Sequence, residues 1–406
     1  MGAQPSPATP GQAGEPPPRT PWATIAVVHL GGVVAAMSLG KFAPVGPEVA
    51  DRLGLSLPEL GWVISAVVGV GAVAGLPGGY LVRRFGTRRS LVTGLALIAA
   101  AGAASLATGD FGWLLAARGV EGVGYLLVTI ACPALVLRLA SERDRGTALS
   151  IWATFVPMGI GASTLAGGVI GSALGWRGWI GVIAALTLVM AVVVWARLPR
   201  VAGRETSGPV PGAGALRGPV LLGAAFCLAA LVTIPVVVLL PTLLIGRYGH
   251  SVAAAGAVTS LISLLSVLGG LAVGMLLRRR VPVGVLGLAG LLIVPAAWLL
   301  YGPAATPMSA EAGAAVISVA NGFLGALVFA ALPMVLDRLD HADVGNGVVA
   351  QAGSLGSLLG PPLFGLVAGG LGYAALVPVI AAGTVAAVGG LLLVGVRAGR
   401  PRPGAG

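Results

Sequence analysis

Along almost the whole chain, long apolar runs alternate with short polar loops. Crossing the hydrocarbon of a bilayer takes about 20 consecutive apolar residues in a helix. Runs of roughly that length fall at 22–46, 57–82, 90–108, 112–137, 147–172 and 177–197, then at 218–245, 252–277, 282–302, 312–336, 345–370 and 374–396. Lipid offers the backbone no hydrogen-bond partner, so each run is predicted to be a helix. Between the two groups of six lies 199–217, a polar stretch rich in Gly and Pro that reads as a flexible linker. The expected fold is an all-α membrane protein of twelve transmembrane helices in two pseudo-symmetric bundles, 22–198 and 218–396. Residues 1–21 lack a basic start followed by an apolar core and a cleavage site. They read as a disordered tail, with 397–406 as a second tail.

The halves repeat one another. Gly79-Tyr80-Leu81-Val82-Arg83-Arg84 after the second run is echoed by Gly274-Met275-Leu276-Leu277-Arg278-Arg279 after the eighth. Arg118-Gly119-Val120-Glu121-Gly122 in the fourth run is echoed by Asn321-Gly322-Phe323-Leu324-Gly325 in the tenth.

Composition agrees with the pattern. The chain is 57% hydrophobic and 9% charged, with a mean hydropathy of +0.98. Soluble domains carry about 25% charged residues. The net charge of +11 needs no nucleic acid, because the arginines sit in short loops and not on one solvated face. Of the 24 basic residues, Arg52, Arg177 and Arg247 fall in one set of loops and Lys41 and Arg118 fall within apolar runs. The rest lie on the opposite face. By the positive-inside rule that face is cytoplasmic, as are both termini. Cys132 and Cys227 both fall in apolar runs and read as buried free thiols.

Ionisable residues at membrane depth are expensive and are candidates for function. Of the 13 acids only Glu121 lies well inside a run. At 1.5 Å per residue it sits about 13 Å below the outer boundary, near the midplane. Arg118 is one turn outward on the same face. The pair is either a structural tie or a site where Arg118 attracts an anion while Glu121 exchanges a proton. Lys41 is either a lysine reaching the outer headgroups or a cation at the mouth of a cavity, drawing in anions or pairing with Glu121. His29 could titrate near neutral pH or simply bond a neighbouring carbonyl. Asn321 and Gln351 could contact a substrate or tie helices together. Trp152 could stack on a substrate or pack in the core.

Together these residues resemble the major facilitator superfamily, over the span from Trp22 to Val396. The family signature after the second helix, Gly-x-x-x-Asp-Arg-x-Gly-Arg-Arg, is matched at Gly79, Arg84, Gly86 and Arg88. It is not matched at Arg83, where the family has Asp, or at Thr87, with Arg89 just beyond. Arg118 and Gly122 match the family's Arg-x-x-x-Gly, and Pro157, Gly159, Gly161, Gly167 and Gly168 loosely match its fifth-helix pattern. Lys41-Phe42-Ala43-Pro44, Leu53-Gly54-Leu55-Ser56 and Glu142-Arg143-Asp144-Arg145-Gly146-Thr147-Ala148-Leu149 are similar to the cyanate and nitroimidazole permease branch.

The resemblance implies a secondary transporter of the bacterial inner membrane that works by alternating access, acts as a monomer, needs no cofactor or metal, and couples a small-molecule substrate to a proton gradient. An anion such as cyanate is the first expectation for the cargo, and proton-coupled efflux of drugs or metabolites the second. A transport-dead membrane sensor is the alternative of another class. An enzyme is not expected: the three histidines are far apart in sequence, there is one core acid, and no phosphate-binding Gly-x-x-x-x-Gly-Lys loop is present. The resemblance also implies a gate built from Gly79, Arg83, Arg84, Gly86, Arg88, Arg89, Gly274 and Arg278. Its arginines would pair with Glu142 and Asp144 or, in the other half, with Asp337, Asp340 and Asp343. With Arg83 in place of the acid, either Glu142 or Asp144 substitutes for it or the lock is weak.

Overall fold

The computed structural model describes residues 20–107, 109–198 and 210–398. The predicted tails and most of the predicted linker therefore fall outside the described residues. The described chain is helical: α1 Trp22–Gly40, α2 Gly46–Leu53, α3 Leu57–Phe85, α4 Thr87–Ala104, α5 Phe111–Leu139, α6 Arg145–Trp152, α7 Phe155–Arg197, α8 Arg217–Tyr248, α9 Val252–Arg278, α10 Val283–Leu288, α11 Ile293–Tyr301, α12 Pro307–Val335, α13 Ala342–Leu371 and α14 Leu376–Ala398.

Eleven stretches are long and apolar enough to cross a membrane, and one of them, Arg145–Arg197, holds 53 residues. A straight helix of that length would reach about 80 Å, against a hydrocarbon core of about 30 Å. The chain turns back inside it at Gly175, where φ is 68° and ψ 174°. Only glycine adopts such a backbone without strain. Glu48 on α2 accepts a hydrogen bond from Trp176 N–H at 3.0 Å and so caps the returning segment. The two predicted helices are thus both present, and the twelve crossings are recovered.

The first apolar run departs from expectation. It is not one bent helix over 22–46. α1 stops at Gly40, the chain turns through 41–45, and α2 follows. Pro44 and Pro47, each without an N–H, stand where a continuous helix would need donors. Lys41 therefore sits in a turn, at the end of α1. Trp62, Trp113, Trp195 and Trp298 are more than half exposed near span ends, as tryptophans at a membrane interface are.

The halves meet along α3 and α13. Gly71, Gly75 and Gly79 recur every fourth residue and form a groove on α3. An alanine Cβ would lie 2.5 Å from Ser354 Oγ at Gly71, 2.4 Å from Gln351 Cβ at Gly75 and 2.9 Å from Asp343 O at Gly79. From the other side, a Cβ at Gly347 would lie 2.6 Å from Gly75 O. Small residues let two backbones approach this closely. Eighteen residues, or five full turns, along the same faces the contact is gone. At Gly61 on α3, and at Gly365 and Gly369 on α13, no heavy atom lies within 4 Å of a Cβ position. The two helices are therefore together on the face that carries the basic loops and apart on the other.

Gly347→Leu should force α13 off α3 and cost about 1–3 kcal/mol, while Gly365→Leu should be nearly silent. Thermal unfolding of the two purified variants checks this. Equal losses would mean that the glycine contact does not hold the halves together.

Candidate functional site

The buried charges of α1 and α5 converge. Glu121 Oε1 accepts from Lys41 Nζ, and Glu121 Oε2 accepts from Arg118 Nη1. All three residues are 0% exposed. Lys41 therefore does not reach the headgroups; the end of α1 turns it inward onto the acid.

Three of the remaining four N–H donors of Arg118 go to backbone. Its Nε donates to Val63 O at 2.8 Å, Nη1 to Ser38 O at 2.9 Å and Nη2 to Ile64 O at 3.5 Å. The Phe42 ring lies 5.3 Å from Lys41 Nζ and 5.1 Å from the Arg118 guanidinium carbon, within cation–π range of both. Trp179 Nε1 donates to Lys41 O at 2.8 Å and fixes the turn. With all three side chains ionised, two cations face one carboxylate, and the surplus positive charge is spread over carbonyls and a ring face.

The other sequence candidates lie elsewhere. In the C-terminal half Asn321 Oδ1 lies 2.7 Å from Thr233 Oγ1, which is also 2.7 Å from Ala229 O. The hydroxyl has one proton and can donate to only one of them. His29 is half-buried, set edge-on to Trp152 at 6.4 Å, and its Nδ1 makes no hydrogen bond, so that nitrogen does not form the predicted bond to a carbonyl. Trp152 is 1% exposed and stacks on Phe155 at 4.1 Å, a packing role. Gln351 spends its side-chain amide on the backbone of α3.

The basic loop is divided among three tasks. Gly86, at φ 85°, makes the turn between α3 and α4, a conformation that other residues adopt only with strain. Arg88 stays within its own half, where its Nε donates to Leu198 O at 2.9 Å and its Nη2 to Trp195 O. These are carbonyls at the end of α7 that no further helical turn satisfies. Arg84 and Arg89 are exposed. The residue that crosses to the other half is Arg83, 5% exposed, whose Nη1 donates to Asp340 O. The odd arginine of the motif thus reaches a backbone carbonyl of the other half.

Two ion pairs join the halves beside it. Arg138, in the last turn of α5, pairs with Asp343, in the first turn of α13, at 2.6 Å. A cation at a helix C-terminus and an anion at an N-terminus also complement the helix dipoles. Arg278 at the end of α9 lies 4.0 Å from Asp144. That second pair is exposed and long, and such pairs contribute about 0–1 kcal/mol. The Asp144 carboxyl is held below the usual carboxylate range, first by the Thr20 hydroxyl that donates to it at 2.7 Å, and then by Ser141 and Arg278. Gly274 completes the seam: its carbonyl accepts from Thr147 Oγ1 at 3.3 Å, and an added Cβ would lie 2.4 Å from Ser150 Oγ.

Arg138 is a seam residue that sequence reasoning missed, having read it as a topology marker only. Its signal was a cation in the last turn of an apolar helix, with an acid opening a helix of the other half. Phe42 carried no signal beyond its place in the Lys41-Phe42-Ala43-Pro44 stretch.

Comparison with known proteins completes the description. The family model of the Major Facilitator Superfamily matches residues 28–361. The chain is 32% identical over 191 residues to the 3-(3-hydroxy-phenyl)propionate transporter of Escherichia coli, covering 46% of this chain and 47% of that protein. It is 28% identical over 173 residues to the arabinose-proton symporter of Escherichia coli, covering 42% and 37%. It is 28% identical over 185 residues to the methyl viologen resistance protein SmvA of Salmonella typhimurium, covering 45% and 37%. The matched stretches thus span less than half of each relative. The solved structure of the human organic anion transporter TETRAN superposes with a TM-score of 0.77 at 18% identity, covering 91% of this chain and 99% of that one. The Escherichia coli fucose:proton symporter FucP gives 0.75 at 14%, covering 94% and 100%. At those identities the structures show a shared fold. On the family match over most of its length, and on the fold, the chain belongs to the major facilitator superfamily.

Proposed function

We propose that the chain is a proton-coupled secondary transporter of a small organic anion, working by alternating access in a bacterial inner membrane. The observation that carries this reading is the convergence of Lys41, Glu121 and Arg118, fully buried, on one site. Breaking a buried ion pair by removing one partner costs about 3–5 kcal/mol. Any event that changes the charge of this triad therefore biases the conformations open to the bundle around it. A proton on Glu121 adds to the surplus positive charge, and an anion arriving nearby offsets it. The two together leave the balance unchanged, which is the electrostatic logic of symport.

The seam supports alternating access. On the positive-inside rule the basic face is the cytoplasmic one, and the contact of α3 with α13 on that face supports a conformation closed to the cytoplasm. The relatives' names agree in kind: they include a transporter of an aromatic carboxylate and a proton symporter. Nothing in the triad selects cyanate over a larger carboxylate. Efflux is the second reading, favoured by the methyl viologen relative. A site with surplus positive charge disfavours a cationic cargo, so import of an anion ranks first.

Stability tests the charge count. Glu121→Gln leaves two buried cations without a counter-ion and should cost about 3–5 kcal/mol. Lys41→Met leaves the balanced Arg118–Glu121 pair and should cost clearly less. Denaturation midpoints in detergent decide, and equal losses would contradict a two-cation, one-anion triad.

Transport tests the coupling. In proteoliposomes Glu121→Gln should lose accumulation driven by a pH gradient while retaining exchange of labelled anion. Should that variant prove too unstable to reconstitute, the double variant Lys41→Met/Glu121→Gln removes a cation together with the anion and serves the same test when compared with Lys41→Met alone. Undiminished accumulation would remove Glu121 from the proton path.

Selectivity tests the cargo class. Lys41→Met should weaken binding of organic carboxylates at least several-fold more than binding of neutral sugars, read by ligand-induced thermal shift. Equal effects on both would make Lys41 a structural residue.

A further inference from the structure

Pro77 lies inside α3, and a proline has no N–H. The carbonyl of Val73, four residues earlier, consequently lacks its helical donor. One position back, Leu76 N–H and Ala72 O are the partners of a regular helix. A single side chain from the other half engages all of these groups. Gln351 Oε1 accepts from Leu76 N–H at 3.0 Å, Gln351 Nε2 donates to Ala72 O at 3.1 Å, and the same nitrogen lies 3.4 Å from Val73 O. A primary amide offers the same donor and acceptor as a peptide group, so it can lie against a helix backbone as a further peptide would. Gly75 makes the approach feasible, since any Cβ there would collide with Gln351 Cβ at 2.4 Å.

We propose that Gln351 is a reversible latch of the seam, a positioning residue that sets the balance between the two access states. The proposal rests on the reading that the halves alternate. An ion pair parted in a membrane leaves two charges to be resolvated, and a latch that left backbone groups bare would be equally costly to open. This one is not. When α13 withdraws, Leu76 N–H and Ala72 O fall back on each other within α3. Only the amide of Gln351 and the Val73 carbonyl need new partners, and the parting seam admits water to both. The contact is thus directional and specific when closed, and cheap to release. Neutral hydrogen bonds contribute modestly, so losing these should change the ratio of closed to open seam about tenfold to a hundredfold.

The test reads conformation directly, without substrate or proton gradient, so it stays interpretable if the transport reading fails. Spin labels at Arg84→Cys and Arg279→Cys, both exposed and on opposite halves, report the width of the basic face in a background carrying Cys132→Ala and Cys227→Ala. The parent should show mainly the short distance. Gln351→Met, similar in shape but without donor or acceptor, should move population to a longer distance by about tenfold or more. Gln351→Glu, which keeps an acceptor for Leu76 N–H and loses the donor, should also shift toward the longer distance. Folded variants with the parent's distance distribution would overturn the latch. So would failure of both variants to fold, which would make Gln351 a residue needed for assembly of the bundle.

Discussion

A charge or an unpaired polar group in hydrocarbon has no water to turn to. That constraint orders the whole structure. It confines nearly all charged residues to the ends of the helices and leaves Lys41, Arg118 and Glu121 with one solution, which is one another. The turn at the end of α1 exists in service of that solution, since it carries Lys41 inward and lets Trp179 hold its carbonyl. The backbone carbonyls of Ser38, Val63 and Ile64 finish the task for Arg118. With all three ionised, the N-terminal bundle is thus assembled around a charge balance that is one cation in surplus.

The same constraint shapes the seam between the halves. Its interior contacts set glycines against backbone and side-chain atoms of the other half, and Gln351 lays a neutral amide on a helix. At the rim formal charges join the halves through Arg138 with Asp343 and Arg278 with Asp144, and Arg83 reaches the Asp340 carbonyl. The triad lies inside one half and the seam between halves, so charge changes at the first can bias the second through helices that touch both, among them α3 and α5. α3 touches both: it supplies carbonyls to Arg118 near one end and the glycine groove near the other.

The crossings were legible in the sequence because they follow from length and hydropathy, which need no knowledge of packing, and the family because its motif residues stand at fixed spacings. Glu121 and Arg118 were legible because membrane depth makes any charge conspicuous. Side-chain direction was not. Only the fold shows that the chain turns far enough at the end of α1 to bury Lys41 completely. Arg83 was legible as an anomaly, while its partner, a backbone carbonyl of the other half, leaves no mark in composition. Arg88 illustrates the opposite error: a motif residue expected at the seam satisfies carbonyls at the end of α7. Gln351 looked like an ordinary polar residue until Pro77 and Gly75, far off in sequence, came to lie against it.

The central claim is that proton movement and solute movement are linked through the buried triad. Liposomes containing the reconstituted protein and a trapped pH-sensitive dye report it most directly. Addition of a transported organic carboxylate, with the membrane potential clamped, should change the lumenal pH in step with carboxylate uptake, and the change should vanish in the Lys41→Met/Glu121→Gln protein. Measurable carboxylate flux with an unchanged lumenal pH would contradict the account.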